Sequence, residues 1–175
     1  RSLADRSLWP RLPSIVEKET DRLLEALEEL HIRATFFTLG WLAERHPQLV
    51  KRVAAAGHEI GTHSYWHHRV DRMTAAAFKA DIEASVKLLE DVTGRKVLGF
   101  RAPAFSITPG AEWALDLIRE AGLKYDASMF PAPWGHGGYP VEPAPQWFHR
   151  TPSGEPLLEL PLTPLRFAGT SVPFS

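Results

Sequence analysis

The sequence predicts an α/β domain built on a parallel sheet. Three observations carry that reading. Short, nearly continuous apolar runs at 34–39 (ATFFTL), 58–62 (HEIGT), 97–101 (VLGFR) and 123–127 (LKYDA) alternate in series with stretches of helical period; such runs suit strands covered on both faces. Each intervening stretch carries helix start and stop signals. No G-x-G-x-x-G follows any run, which argues against a dinucleotide fold and leaves an open doubly wound sheet or a barrel.

The elements can be justified in order. Ser14 followed by Glu17 reads as a capping box, after which Ile15, Val16, Leu23, Leu24, Leu27 and Leu30 recur at helical spacing. Residues 34–39 form the first strand. Pro47 opens the next helix, with Leu49, Val50 and Val53 inward and Gly57 as its stop. Thr74 caps a longer helix striped by Phe78, Ile82, Val86, Leu89 and Val92 and closed by Gly94. Thr108 and Pro109 start another helix, with Trp113, Leu117, Ile118 and Ala121 inward and Gly122 at its end. Prolines and glycines then make 128–155 a long irregular loop. Residues 157–163 (LLELPLT) give one more strand, which Pro161 places at an edge or a bulge.

Composition narrows the chemistry. The chain has 175 residues and 44% hydrophobic content, enough for one domain with a real core, and no linker or repeat divides it. Lys+Arg 20 against Asp+Glu 21 leaves a net charge of -1, so no nucleic-acid or anionic-membrane footprint shows. Absent cysteine excludes a disulfide scaffold, a thiolate metal site and a thiol nucleophile, and leaves any metal to His and carboxylates. No apolar run approaches the ~18 residues of a membrane span. The N-terminus lacks the order of a signal peptide, and it opens on Arg rather than Met. The compartment stays open.

In parallel α/β folds reactive groups collect at the C-terminal ends of strands. His63 follows the second run, Arg101 ends the third, and Asp126 with Ser128 ends the fourth. His63 and His67, four apart in HSYWH, can reach one divalent ion, with Ser64 bonding across the turn; two solvated imidazoles beside Arg69 fit the same spacing. Pro103 fixes the backbone two places after the Arg101 guanidinium, and Asp126 could hold an imidazole in one tautomer. A surface arginine and an ordinary Asx turn are the structural alternatives. Trp66, Phe105, Trp134, Tyr139 and Trp147 fall in the inferred rim loops, where aromatics stack on sugars or simply pack.

In this order and spacing the segments resemble the polysaccharide deacetylases of the NodB-homology family, carbohydrate esterase family 4. HEIGTHSYWHH resembles the family's His-Ser/Thr-x-x-x-His motif, FRAPAFSIT its Arg-x-Pro motif and YDASMF its Asp motif. The branch most similar is the one associated with exopolysaccharide and exosortase loci in bacteria. The resemblance implies a distorted (β/α)7 barrel and a divalent ion, zinc in most members, held by an Asp-His-His triad. By position it makes His63 and His67 metal ligands, Arg101 the residue orienting the catalytic base, and Asp126 the partner of the acid histidine. Pro103, Phe105 and Trp134 become substrate contacts. The implied reaction removes N-acetyl groups from amino sugars of a polysaccharide, in the bacterial cytoplasm or envelope.

Two motifs have no match. The strand ending in two acids, the source of the base and the third ligand, is expected before Arg1, and the late acid histidine after Ser175. The expectation is therefore a partial domain over 1–175, without its first and last strand segments, that is inactive alone and prone to associate. A non-catalytic sugar-binding relative and a same-fold hydrolase of small cyclic amides are the rival readings.

Overall fold

The computed structural model describes residues 14–132, 138–167 and 170–174. The chain divides into two compact units, 1–34 and 35–175. The first contains helix α1 (Val16–Glu29). The expected Ser14–Glu17 capping box does not form. Ile15 is the N-cap and makes no side-chain cap bond, while Ser14 Oγ reaches only the Val16 amide, at 3.5 Å. Ser14 stands one position too early to meet the amide three residues on.

In the second unit β1 (Thr35–Thr38), α2 (Gly40–Arg45), α3 (Pro47–Ala55), β2 (Glu59–Thr62), α4 (Ala75–Thr93), β3 (Gly99–Phe100), α5 (Trp113–Glu120) and β4 (Tyr125–Asp126) follow in series. They are succeeded by β5 (Gln146–Phe148), β6 (Leu157–Glu159) and a hairpin of β7 (Thr163–Phe167) and β8 (Thr170–Phe174). The main sheet runs β1-β2-β3-β4-β6-β5, and every pair is parallel except β5 with β6. The sheet curls, because β1 and the 160–163 segment after β6 line one cavity of about 370 Å³ together with Arg101 and Tyr125. This is the distorted α/β barrel architecture that the resemblance implies, one of the two arrangements that the run of elements left open.

Small residues let the curl close up. Gly61 lies under the ring of Phe37, where a Cβ would approach ring carbon to 2.6 Å, and Gly99 lies under Tyr125 in the same way. Helices α3, α4 and α5 cover the outer face, and α4 is the longest of them. Thr74 caps it by accepting the Ala77 amide at 3.2 Å, and Gly94 ends it at φ 66. Its Phe78, Ile82 and Leu89 are fully buried, Val86 nearly so, and Val92 is half-buried.

Several expectations change. Helix α5 starts at Trp113 rather than near Thr108, because Gly110 takes φ 96 and residues 108–111 close a turn instead. Its buried face is Ala114, Leu115 and Ile118, while Trp113 and Leu117 are half-buried. Strand β1 is an edge among the described strands, and only its Thr38 is buried. Strand β6 is interior rather than an edge, since it stops two residues before Pro161 and loses no ladder donor to it. The edge is β5, inside the segment expected to be loop.

Phe78 has no exposure and stacks edge-on against Phe100, at 5.6 Å between centroids, and Trp113, at 5.8 Å. Phe78→Ala should cost about 3–5 kcal/mol of stability, read as a lower urea midpoint without a change in slope.

Candidate functional site

The parallel ladder continues one residue past each strand. His63 donates its amide to Thr38 at 3.0 Å, Arg101 to Thr62 at 3.0 Å, Ala127 to Phe100 at 2.8 Å and Leu160 to Asp126 at 2.8 Å. Consequently His63, Arg101, Ala127 and Leu160 leave the sheet at one level, its C-terminal rim.

Four non-glycine residues at this rim adopt left-handed backbone: Ser64 (φ 71), His67 (φ 59), Ala104 (φ 56) and Phe105 (φ 53). Such conformations persist only where neighbours over-determine them. Around the histidine turn, the His67 amide donates to Ser64 Oγ at 3.0 Å, and Ser85 of α4 donates to the Ser64 carbonyl at 3.2 Å. Asp81, also on α4, accepts the amides of Tyr65 and Trp66 at 3.1 and 3.2 Å. From the other side α2 donates its first amides, Gly40 to the Ser64 carbonyl and Trp41 to that of Tyr65, at 3.0 and 3.2 Å. The Pro103–Phe105 turn is held by Ser106, whose hydroxyl donates to the Pro103 carbonyl at 2.6 Å and accepts the Val70 amide at 2.9 Å.

The clamp brings the His63 and His67 rings to 5.0 Å between centroids. His63 Nδ1 lies 2.7 Å from the Arg101 carbonyl oxygen. A carbonyl only accepts, so Nδ1 carries the proton and Nε2 the lone pair. Burial lowers the His63 pKa to about 4, against the raising effect of that hydrogen bond, so the ring is neutral at pH 7. Burial, then the neighbouring His68, also lowers that of His67. Two neutral imidazoles on one turn have the donor chemistry a divalent ion requires. Among the described residues, however, no group of three or more His, Asp or Glu side chains forms, so they do not complete a metal centre.

Arg101 lies across the Phe37 ring at 4.5 Å and donates Nε–H to the Ala127 carbonyl at 3.0 Å. Burial lowers its pKa, and the charges of Asp126, Tyr125 and Glu159 oppose that. Asp126 pairs in register with Phe100, so it sits one residue below the rim, on the helix-facing side of the sheet. Its neighbours are Ser128, whose hydroxyl bonds Oδ1 at 2.5 Å while accepting the Ala102 amide at 2.7 Å, and Glu159. Pro103 is buried, and Phe105 is half-buried at 6.0 Å from the Phe130 ring. Trp134 and His136 lie outside the described residues.

Sequence reasoning missed Asp81, Ser85 and Glu159. A signal existed for each: Asp81 and Ser85 follow Phe78 at i+3 and i+7, on the apolar stripe, and Glu159 interrupts an apolar run.

Asp81→Ala should cost roughly 2–3 kcal/mol through two lost charge-assisted bonds, and should speed amide hydrogen exchange at Tyr65 and Trp66 before the rest of the sheet.

A family model described as polysaccharide deacetylase matches residues 11–125. A peptidoglycan deacetylase of Helicobacter pylori is 33% identical over 108 residues, 62% of this chain and 36% of that protein. A solved structure of a Mycobacterium smegmatis protein, provisionally described as a polysaccharide deacetylase, superposes with a TM-score of 0.73 at 25% identity, covering 91% of this chain and 52% of the other. A carbohydrate esterase family 4 pseudoenzyme of Bacillus anthracis shares the fold, with a TM-score of 0.58 at 22% identity over 63% of this chain and 38% of that one. The chain thus spans about a third to a half of the length of these proteins.

Proposed function

The chain belongs to the polysaccharide deacetylase family, and from that premise we propose that its described residues form a carbohydrate-binding face which does not hydrolyse its ligand unaided. The supporting observation is the clamped His63–His67 pair beside Arg101, which no third ligating side chain joins among the described residues. The ligand class is a polymer of N-acetylated amino sugars, in keeping with the similarity to a peptidoglycan deacetylase of Helicobacter pylori. Phe105 would stack on a sugar face, held by the turn that the buried Pro103 opens, and Trp134 is a candidate for the same kind of contact. The sequence motifs point further, to a bacterial exopolysaccharide handled in the cytoplasm or envelope.

A second reading is metal-dependent removal of the N-acetyl group by the whole protein. It is favoured by the His63 tautomer, which leaves Nε2 unprotonated, as a zinc ligand must be. In that reading His63 and His67 are two of three ligands. Arg101 would orient a base supplied by residues other than those described, and Asp126 would orient an acid histidine.

Calorimetry of the intact protein with N-acetylglucosamine oligosaccharides, with and without zinc, run beside an acetate-release assay, separates the readings. Binding without acetate supports the first. Acetate release that vanishes in His63→Ala and His67→Ala, with zinc retention down by more than about tenfold, replaces it with the second. Neither binding nor release overturns both.

A further inference from the structure

Two carboxyl groups below the rim have chemistry that the carbohydrate site does not absorb. Asp126 and Glu159 are register partners across the β4–β6 ladder and are 0% and 1% exposed. Each has one oxygen engaged: Asp126 Oδ1 accepts the Ser128 hydroxyl at 2.5 Å, and Glu159 Oε1 accepts the Met129 amide at 3.0 Å. Asp126 Oδ2 and Glu159 Oε2 are buried, and no other group donates to either.

Two ionised carboxylates cannot be stable there. Their like charges repel in a low-dielectric setting, and each would leave a bare oxygen buried without a donor. One proton removes both faults, because it turns the two orphan oxygens into the donor and acceptor of a single hydrogen bond. We propose that Glu159 and Asp126 share one proton at neutral pH, forming a singly charged acid pair that positions the ends of β4 and β6 and balances Arg101. Glu159 is thereby a positioning residue that sequence reasoning did not assign.

The surrounding charges agree with a net charge of minus one. Arg101, just past β3, is the cation whose field reaches both carboxyls. Tyr125 on β4 stays neutral, since burial first and the Glu59 charge second push its phenol up. The QWF of β5 brings no charge. On α5, Arg119 is 3.6 Å from Asp116 and 3.4 Å from the Ser153 hydroxyl, and Glu120 pairs with Lys79. Burial raises Asp126 to about 6, and burial together with the Asp126 charge raises Glu159 well above the usual carboxylate range. Asp126 is the better anion because the Ser128 hydroxyl donates to its Oδ1 at 2.5 Å, whereas Glu159 has the Met129 amide at 3.0 Å and the Asp126 charge against it. The proton therefore resides mainly on Glu159.

The inference concerns proton content, so it stands or falls apart from the carbohydrate reading. The folded pair keeps a proton that an unfolded Glu and Asp lose near their ordinary values, so this stability is present in acid and is lost as pH rises through the folded value. His63 acts in the opposite direction, but only as pH falls from 6.5 towards 4, so the informative range begins at pH 6.5 and runs upward. The melting temperature of the intact protein should fall with rising pH relative to Glu159→Gln, whose amide supplies a permanent donor, by up to about 3 °C per pH unit for as long as the folded pair keeps its proton. Infrared spectra of the wild type at pH 7 should show the carbonyl stretch of a protonated buried carboxyl, missing from Glu159→Gln. Parallel melting curves, or no such band in the wild type, would overturn the proposal. If Glu159→Gln does not fold, the wild-type band decides alone, its presence in support and its absence against.

Discussion

Helix α4 carries, on one face, both the apolar stripe that covers the sheet and the polar side chains that hold the histidine turn. Phe78, Ile82, Val86 and Leu89 drive it onto the strands, and that docking sets the depth at which Asp81 and Ser85 meet residues 62–66. Left-handed backbone at Ser64 and His67 costs of order 1–2 kcal/mol per residue. The bonds from Asp81 and Ser85, with the α2 amides opposite, supply the offsetting energy. Core packing and site geometry are therefore one constraint. A change that let α4 slide along the sheet would release the strained turn and spread the two imidazoles before it unfolded the barrel.

Charge at the rim follows from the same burial. His63 is neutral because desolvation of its ring outweighs the hydrogen bond from Nδ1–H to the Arg101 carbonyl, which favours the cation. Arg101 remains a cation despite its own burial, with Asp126, Tyr125 and Glu159 acting in its favour. A buried cation facing two anions would leave an excess charge in low dielectric, whereas facing a pair that keeps one proton it is balanced.

Much of the fold was legible because parallel strands covered on both faces leave an unmistakable text: short apolar runs punctuated by Thr74, Gly94 and Gly57. The rim was legible for the same reason, since the chain exits the sheet at the last residue of a run, as at Arg101 and Ala127, or just after it, as at His63. What escaped was polarity inside apolar patterns. Asp81 reads as one more solvent-facing acid on a helix until Phe78, Ile82 and Ser85 are seen to share its face. Glu159 was read as a member of LLELPLT, and Pro161 drew the eye to an edge. Only the pairing of Glu159 with Asp126 shows that this acid is buried on both sides. Strand β5 escaped because a three-residue strand needs no periodicity when a longer partner supplies its register. Helix α2 escaped because Gly40, a poor helix residue, begins it; the ring of Tyr65 lies against that glycine and leaves no room for a side chain.

The segment after β4 shows how the acid pair can matter to the rim without touching it. Met129 donates its amide to Glu159, and its carbonyl accepts the Leu162 amide at 2.9 Å, so the start of this segment is tied to both ends of the turn that leaves β6. Its next residue, Phe130, is fully buried, packs on Phe105 and accepts the Tyr139 amide at 2.8 Å. Tyr139 in turn donates its hydroxyl to Glu112 at 2.6 Å. A continuous chain of bonds and packed rings thus runs from Glu159 through Met129 and Phe130 to Phe105, one of the left-handed residues of the rim. Glu159, Met129 and Phe130 are buried and bonded, which leaves this part of the chain little slack. The position of the half-buried Phe105 ring is therefore linked, through Phe130 and Met129, to the packing of a carboxyl pair behind the sheet.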